Sequence, residues 1–378
     1  MPYARDLIIP FFFKIHLGMT FIFILIATCH AMAQNNTSLK KSEPIYQNPF
    51  DLASGGASLT RATQEGVLFS NPSLPAFGEG HFRWIFLRST FSVGEGTIKT
   101  SSDLLKTSAN ASSTSTLINN AANDLFNYPN YLGLSNAAGV LTSEFGIAGF
   151  AANKLFTNGK KFGSVGVPQL VVQDNGFAGV ASTISTAFGD HLAVGIGPKY
   201  IYNAEVNTTL SVSEVMSPST ASSKLSNALL TGNAIAADIG FTLQHRTKNF
   251  DVRFAGVVAD VGNTTFTGGL PPWLQTYNAG LGFAVHDFTN AMHCAVDYRD
   301  VTDVYQEDLP RKIYMGCKLL LTKIFGLGFG YLQGWPSYGF VLNLFLFRLE
   351  GGVYTRDIAK QSGLVGQKVY FVSLGFEI

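Results

Sequence analysis

Charge is scarce in this chain. Lys, Arg, Asp and Glu make up 13% of its 378 residues, and the formal net charge is +1; an average soluble protein carries about 25% charged residues. A balance so near zero excludes nucleic acid as a partner, which would need a basic face. Cysteine is scarce as well. Cys29 falls in the N-terminal segment, so only Cys294 and Cys317 serve the body of the chain, too few for a disulfide framework. Beyond the N-terminal segment no apolar run is long enough for a transmembrane helix, which needs about 18 residues. HExxH, GxSxG, a phosphate-binding P-loop and paired-cysteine metal spacing are all absent. His81, His191, His245, His286 and His293 are scattered singly. A Ser-His-acid triad gathered from separate strands would leave no motif, but no Ser/His pair stands out, and we expect no enzyme, no cofactor and no metal.

What the chain has is aromatic residues, at 13%, and 39 glycines. Few charges with many aromatics and glycines suit a protein with two faces to fill, one toward lipid and one toward a lumen. Residues 1–33 read as a secretory signal peptide: Arg5 and Lys14 lie in the n-region, residues 17–28 form an apolar core, and Ala31-Met32-Ala33 supplies small residues for cleavage. A lipoprotein signal ending before Cys29 is the competing reading, with Thr28 unfavourable beside that cysteine. Removal of the signal leaves 24 basic and 24 acidic residues. A secreted, apolar chain with no spanning helix points to the other structure that satisfies its backbone in lipid, the closed β-barrel.

The last strand carries this reading best. In residues 368–378 (KVYFVSLGFEI), Tyr370, Val372, Leu374, Phe376 and Ile378 share one face, because strand side chains alternate. They should point outward, with the backbone pairing to a first strand near Phe82 to close the barrel. A soluble sandwich would show the same alternation; the signal peptide, the low charge and the number of strands favour lipid. From residue 81 the candidates are 81–93, 143–155, 162–172, 177–188, 190–204, 237–246, 251–261, 275–286, 290–301, 311–321, 323–333, 337–346, 347–357 and 368–378, fourteen in all. Residues 99–132 and 207–232 read as long polar outer loops. Trp84 suits a membrane interface. Arg348, Glu350, Arg356, His293, Asp297 and Arg299 would face the lumen, wet or charge-paired. Pro198 interrupts a strand and calls for an edge or a bulge. A hairpin centred between residues 305 and 306 would set Cys294 opposite Cys317; a bond and two buried free thiols both remain open.

Before the first strand, residues 34–47 are a polar leader, and residues 48–77 pack Gly55-Gly56 and the Asn48-Pro49 and Asn71-Pro72 pairs among small residues, an irregular segment that could fill the lumen. That segment, SGGASLTRATQEGVLFSNPSLPA, resembles the N-terminal hatch of the FadL-like long-chain fatty acid transporters and their PorV-like relatives, with Asn71-Pro72-Ser73 where Asn-Pro-Ala is usual. The stretches AADIGFTLQHR, VVADVGNTTF, LPPWLQTYNAGLGF, AVDYRDV, FGLGFGYLQGW, FRLEGGVYTRDI and YFVSLGFEI follow in the order of the same family's barrel strands. Ile378 stands where an aromatic residue usually closes the chain. The resemblance spans residues 48–378 and implies an all-β fold, a closed antiparallel barrel of about fourteen strands with a hatch. It divides the chain into a signal (1–33), a leader and hatch (34–80) and a transmembrane barrel (81–378). It implies passage of hydrophobic, fatty-acid-like molecules across the outer membrane of a diderm bacterium, with membrane lipid and the hydrophobic ligand as partners. The alternative is a PorV-like component or anchor of a protein secretion apparatus, with secreted proteins as partners. Gly55, Gly56, Asn71 and Pro72 are the candidate gating residues. Leu104, Leu105, Leu117, Ile118, Leu125 and Phe126 are the candidate ligand residues of the first long loop.

Overall fold

The computed structural model of the chain describes residues 45–78, 82–110, 128–160, 169–286, 290–321, 324–357 and 366–378. The signal peptide and the leader up to residue 44 lie outside the described residues, as does His81. Fourteen strands follow: β1 Arg83–Gly94, β2 Asn130–Leu141, β3 Phe145–Lys160, β4 Gln169–Phe188, β5 Leu192–Ser211, β6 Leu229–Arg246, β7 Phe250–Ala259, β8 Thr276–His286, β9 Asn290–Tyr298, β10 Ile313–Leu321, β11 Phe325–Leu332, β12 Trp335–Leu344, β13 Phe347–Asp357 and β14 Gly366–Glu377. Each pairs antiparallel with its chain neighbours, and β14 pairs with β1, which closes the barrel. Trp84 and Ile378 exchange two backbone hydrogen bonds of 2.9 Å at the seam. Closure leaves no unpaired strand edge.

Period-two alternation sets the faces. On β14, Tyr370, Val372, Leu374 and Phe376 are exposed, while Val369, Phe371 and Ser373 are buried. Val180, Ile196, Phe254, Leu281 and Phe329 continue the exposed apolar belt on other strands. A belt of that extent is too large for a water-facing surface and matches hydrocarbon. Strand β1 breaks its own period. Its register shifts after Ile85, so Phe86 and Leu87 both face out while Ile85 and Arg88 both face in. This bulge carries Arg88 from the lipid side to the lumen.

The strand number agrees with the sequence reading, but two differences in it cancel. Residues 162–172 and 177–188 do not form separate strands; 169–188 is the single strand β4, and β2 lies at 130–141, partly inside the stretch read as loop. The turn-like text of residues 173–176 sits within β4, where Asp174 accepts a hydrogen bond from Asn153 on the exposed face. Strands of twenty residues, such as β4 and β5, span roughly 66 Å at about 3.3 Å per residue, far beyond an apolar band about 25 Å tall. Their far ends stand clear of the membrane, so polar residues there do not mark a break. β5 likewise runs to Ser211 and β6 begins at Leu229, which shortens the second loop. Pro198 lies inside β5 and faces out; it stays in register with Ala237, while the β4 ladder skips the step opposite it.

Connections divide by length between the two ends. Residues 142–144, 189–191 and 247–249 make short turns at one end, and 95–129, 260–275 and 299–312 make long connections at the other, the outer end in such barrels. Numbering the helices in chain order, α1 is Pro49–Ala53, α2 Val67–Ser70 and α3 Glu95–Asn110, the last opening the first long connection; α4 is Val212–Val215, α5 Pro218–Asn227 and α6 Leu309–Lys312. α4 and α5 fold back on the outside of the extended strands, where Leu170, Val172 and Leu210 are buried against Val212, Val215, Ala221 and Leu225. Protein replaces lipid on the outward face there. Cys294 and Cys317 face each other on β9 and β10 and form a disulfide, which resolves the choice left open by the sequence.

Candidate functional site: a pinned plug and the cup above it

Residues 45–78 run inside the barrel as a chain of short pieces: α1, a turn at Gln64–Gly66, α2, and a turn at Leu74–Phe77. The Asn48 side chain accepts the Phe50 N–H to cap α1, and Pro49 occupies its first turn, where a missing N–H costs nothing. Such short helices hold their shape through contacts with the wall.

From β7 round to β1 those contacts are ionic. Arg88, fully buried, donates to Glu65 of the plug at 3.0 Å, to Glu350 of β13 at 2.9 Å and to Glu377 of β14 at 3.3 Å. Tyr46 and Asn48 donate to the same Glu65 at 2.8 and 2.9 Å, and Arg348 pairs with Glu350 at 2.6 Å. Asp51 of α1 pairs with Lys318 of β10. Arg61 meets Asp251 of β7 at 2.5 Å. Asp297 of β9 accepts the N–H groups of Ser58 and Leu59 at 2.7 and 3.0 Å, and Arg299 donates to the Gly56 carbonyl at 2.9 Å. Removing one partner from a buried pair typically costs about 3–5 kcal/mol, because the other charge is stranded; these pairs therefore fix the plug.

Against β4 and β6 the contacts are neutral hydrogen bonds. Thr183 donates to the Pro72 carbonyl at 2.8 Å, and Asn71 donates to Thr242 at 3.0 Å and to the Leu59 carbonyl at 2.8 Å. Ser73, where the resembled family carries alanine, adds a hydroxyl contact of 2.7 Å to Thr242 and donates to Asn71 at 2.8 Å. Against β2 and β3 the plug only packs. Tyr46 and Phe69 have ring centroids 4.9 Å apart, and Phe69 meets Phe150 edge to face at 5.1 Å, within a buried cluster that includes Leu68, Leu141 and Ala148.

The structure sets Gly55 and Gly56 far from Asn71 and Pro72. Gly55 has φ +81°, and a Cβ there would lie 1.9 Å from the Met315 carbonyl oxygen, so the plug backbone rests directly on β10; its N–H donates to Ser337 of β12 at 3.0 Å. Asn71 and Pro72 instead lie on β5 and β6, where a Cβ on Gly195 would come 2.2 Å from the Pro72 carbonyl oxygen. The four gating candidates are thus two separate contact points of the plug with the wall. Leu104 and Leu105 fall on α3, with side chains outside the described residues, and Leu117, Ile118, Leu125 and Phe126 lie outside them altogether.

Above the plug, on the long-loop side, is a cup with about 700 Å³ of unfilled space, part of it open to solvent. Tyr46 and Leu52 of the plug form its floor, and Tyr131, Leu332, Tyr354 and Phe371 its walls; Lys154 and Arg356 bring positive charge to it. Arg356 lies 5.0 Å from the Tyr131 ring centroid, a cation-π contact. Mostly apolar walls with a few polar groups are how small-molecule sites are built. To one side the loop 260–275 folds inward, with Trp273 buried against Phe177 and Phe266 at 5.9 and 4.7 Å. Tyr305 ties that loop to its neighbour by accepting the Leu274 N–H at 2.9 Å, and burial pushes its phenol up to about 12. Sequence reasoning missed the cup residues and the pinning charges. The usable signal was the recurrence of Asp51, Arg61 and Glu65 in a segment otherwise nearly free of charge. Among the described residues no helix is long and apolar enough to cross a membrane, and no His, Cys, Asp and Glu group is placed to hold a metal ion.

The class defined by this geometry is a fourteen-stranded transmembrane barrel with a lumenal plug. No protein-family model matches the chain, nor does any curated protein. Among solved structures it is similar to the deltaS2S3 mutant of the TodX monoaromatic hydrocarbon channel, with a TM-score of 0.50 and 11% identity over 88% of this chain and 98% of that one. It is also similar to the Ralstonia pickettii toluene transporter TbuX, with a TM-score of 0.50 and 11% identity over 87% and 97%. At this identity the likeness is one of fold.

Proposed function

We propose that the chain is an outer-membrane channel for hydrophobic small molecules, closed by its plug and loaded from the cup. The observation that carries this reading is the aromatic cup set on the plug at the outer end of a barrel lumen. The printed names of both similar structures, a monoaromatic hydrocarbon channel and a toluene transporter, point the same way. On this reading residues 1–33 are removed on export, residues 34–80 form leader and hatch, and residues 81–378 form the barrel. Gly55, Gly56, Asn71 and Pro72 then serve as the points on which the hatch bears when it moves. The probe N-phenylnaphthylamine tests the cup by its fluorescence on binding to the purified protein in detergent. Phe371→Ala should weaken binding about tenfold, since one buried aromatic contact contributes roughly 1.5–3 kcal/mol. Unchanged affinity would remove the cup from the reading.

A second reading is favoured by the ionic pinning itself. A barrel held this firmly shut could act as a membrane anchor for a secretion apparatus. It predicts no transfer of the probe across vesicle membranes and co-purification of the intact barrel with secretion components.

A further inference from the structure

Resting on the channel reading, we infer that a hydrophobic molecule leaves the cup along the seam between plug residues Leu68 and Phe69 and the inner face of β2 and β3. The seam begins at the cup. Ser135 and Ala152, paired across β2 and β3, line it, and the next inward pairs toward the short-turn end are Ala137 with Phe150, Gly139 with Ala148, and Leu141 with Gly146. No charged side chain occupies any of these inward positions. Tyr46 links cup to seam, because it forms part of the cup floor and stacks on Phe69, which in turn meets Phe150. At the far end a Cβ on Gly146 would lie 2.7 Å from the tips of both Leu68 and Leu141. The seam is narrowest there.

Among the described residues no hydrogen bond or ion pair joins the plug to β2 or β3, whereas β1, β4, β6, β7, β9, β10 and β12 each make at least one. Parting this one face exchanges apolar contacts for apolar contacts with the ligand, so the ligand itself replaces what is lost. Parting any other face strands a polar or charged group. Phe69 and Leu68 are thus the moving gate, and the gating candidates read from the sequence, Gly55, Gly56, Asn71 and Pro72, lie on the fixed side.

The test uses the full protein in vesicles, with cup binding and probe transfer measured separately. Gly146→Leu fills the seam at its narrowest point and should leave probe affinity unchanged while slowing transfer about tenfold or more, a barrier increase of one tenfold step. Phe69→Ala opens the seam and should speed transfer. Gly149→Leu changes the same strand on its outward face and should alter neither, which controls for damage to β3. Heat-modified gel mobility reports folding of each variant, and if Gly146→Leu fails to fold, the opposite sign from Phe69→Ala still decides. Unaltered transfer in Phe69→Ala with cup affinity retained overturns the seam and leaves the channel reading standing. A wild-type protein that binds no probe, or binds it and transfers none, overturns the channel reading and the seam together.

Discussion

From β7 round to β1 the plug is pinned by charge; against β2 and β3 it only packs. On the first side Arg88, Lys318, Arg61 and Asp297 each tie plug to wall through buried polar contacts. On the second, Phe69, Phe150, Leu68 and Leu141 meet with no polar link. The two sides differ in what happens when they separate. A buried charge taken from its partner has no water to replace it, while an apolar surface accepts any other apolar surface. A stopper with one ionic side and one apolar side can stay closed to ions and water and still admit a hydrophobic molecule.

The contrast breaks most sharply at Arg88. Arg88→Met strands Glu65 and Glu350, and the loss of about 3–5 kcal/mol expected for a broken buried pair should free the plug. Planar-bilayer conductance should rise, and hydrogen exchange across residues 45–78 should accelerate. Wild-type conductance and exchange in this variant would show that the ionic side does not hold the plug. A smaller effect is expected on the neutral contacts to β6. Ser73→Ala removes one hydroxyl contact to Thr242 and one to Asn71, a change of about 1 kcal/mol. It should quicken exchange at residues 71–73 with conductance unchanged; a conductance rise would place part of the lock here.

The smallest effect lies outside the lumen and supplies the exposed counterpart to these buried pairs. Hydrogen bonds from Lys224 and from the N–H and hydroxyl of Ser211 hold the Glu214 carboxyl at about 2, below its ordinary 4.5. A carboxyl held low stabilises the folded form at pH above about 4.5, and that contribution is lost as the pH falls toward 2. Exchange across residues 212–227 should therefore rise over that window. Added salt should loosen the same hairpin at neutral pH, because exposed charges are screened, and should leave the Arg88 contacts intact. Equal salt sensitivity in both regions would contradict the burial of the plug pairs.

Much of the barrel was legible in the residues. The stripe of Tyr370, Val372, Leu374 and Phe376, the opposition of Cys294 and Cys317, and the inward set of Arg348, Glu350, Asp297 and Arg299 all follow from period two and hairpin symmetry. β2 was not legible, because its inward positions are largely Ser, Ala and Gly and its outward ones include Asn136 and Ala138, so alternation leaves little contrast. β4 was split in two because Asp174 and Gly176 look like a turn when nothing tells the reader that this stretch stands above the lipid. Of the candidate site, the plug's glycines and Asn71-Pro72 could be picked out but not their positions on the wall, and the cup, gathered from six strands and the plug, could not be assembled from one chain order.

The sequence by itself determined which faces could meet hydrocarbon, since that depends on alternation within each strand. Only the tertiary structure decided how the lumen is filled. The bulge after Ile85 turns Arg88 inward, barrel closure brings β13 and β14 beside β1, and the plug then supplies Glu65 to the same point. Each of these partners is distant in sequence, and a buried charge reveals its role only when the group that neutralises it is in place.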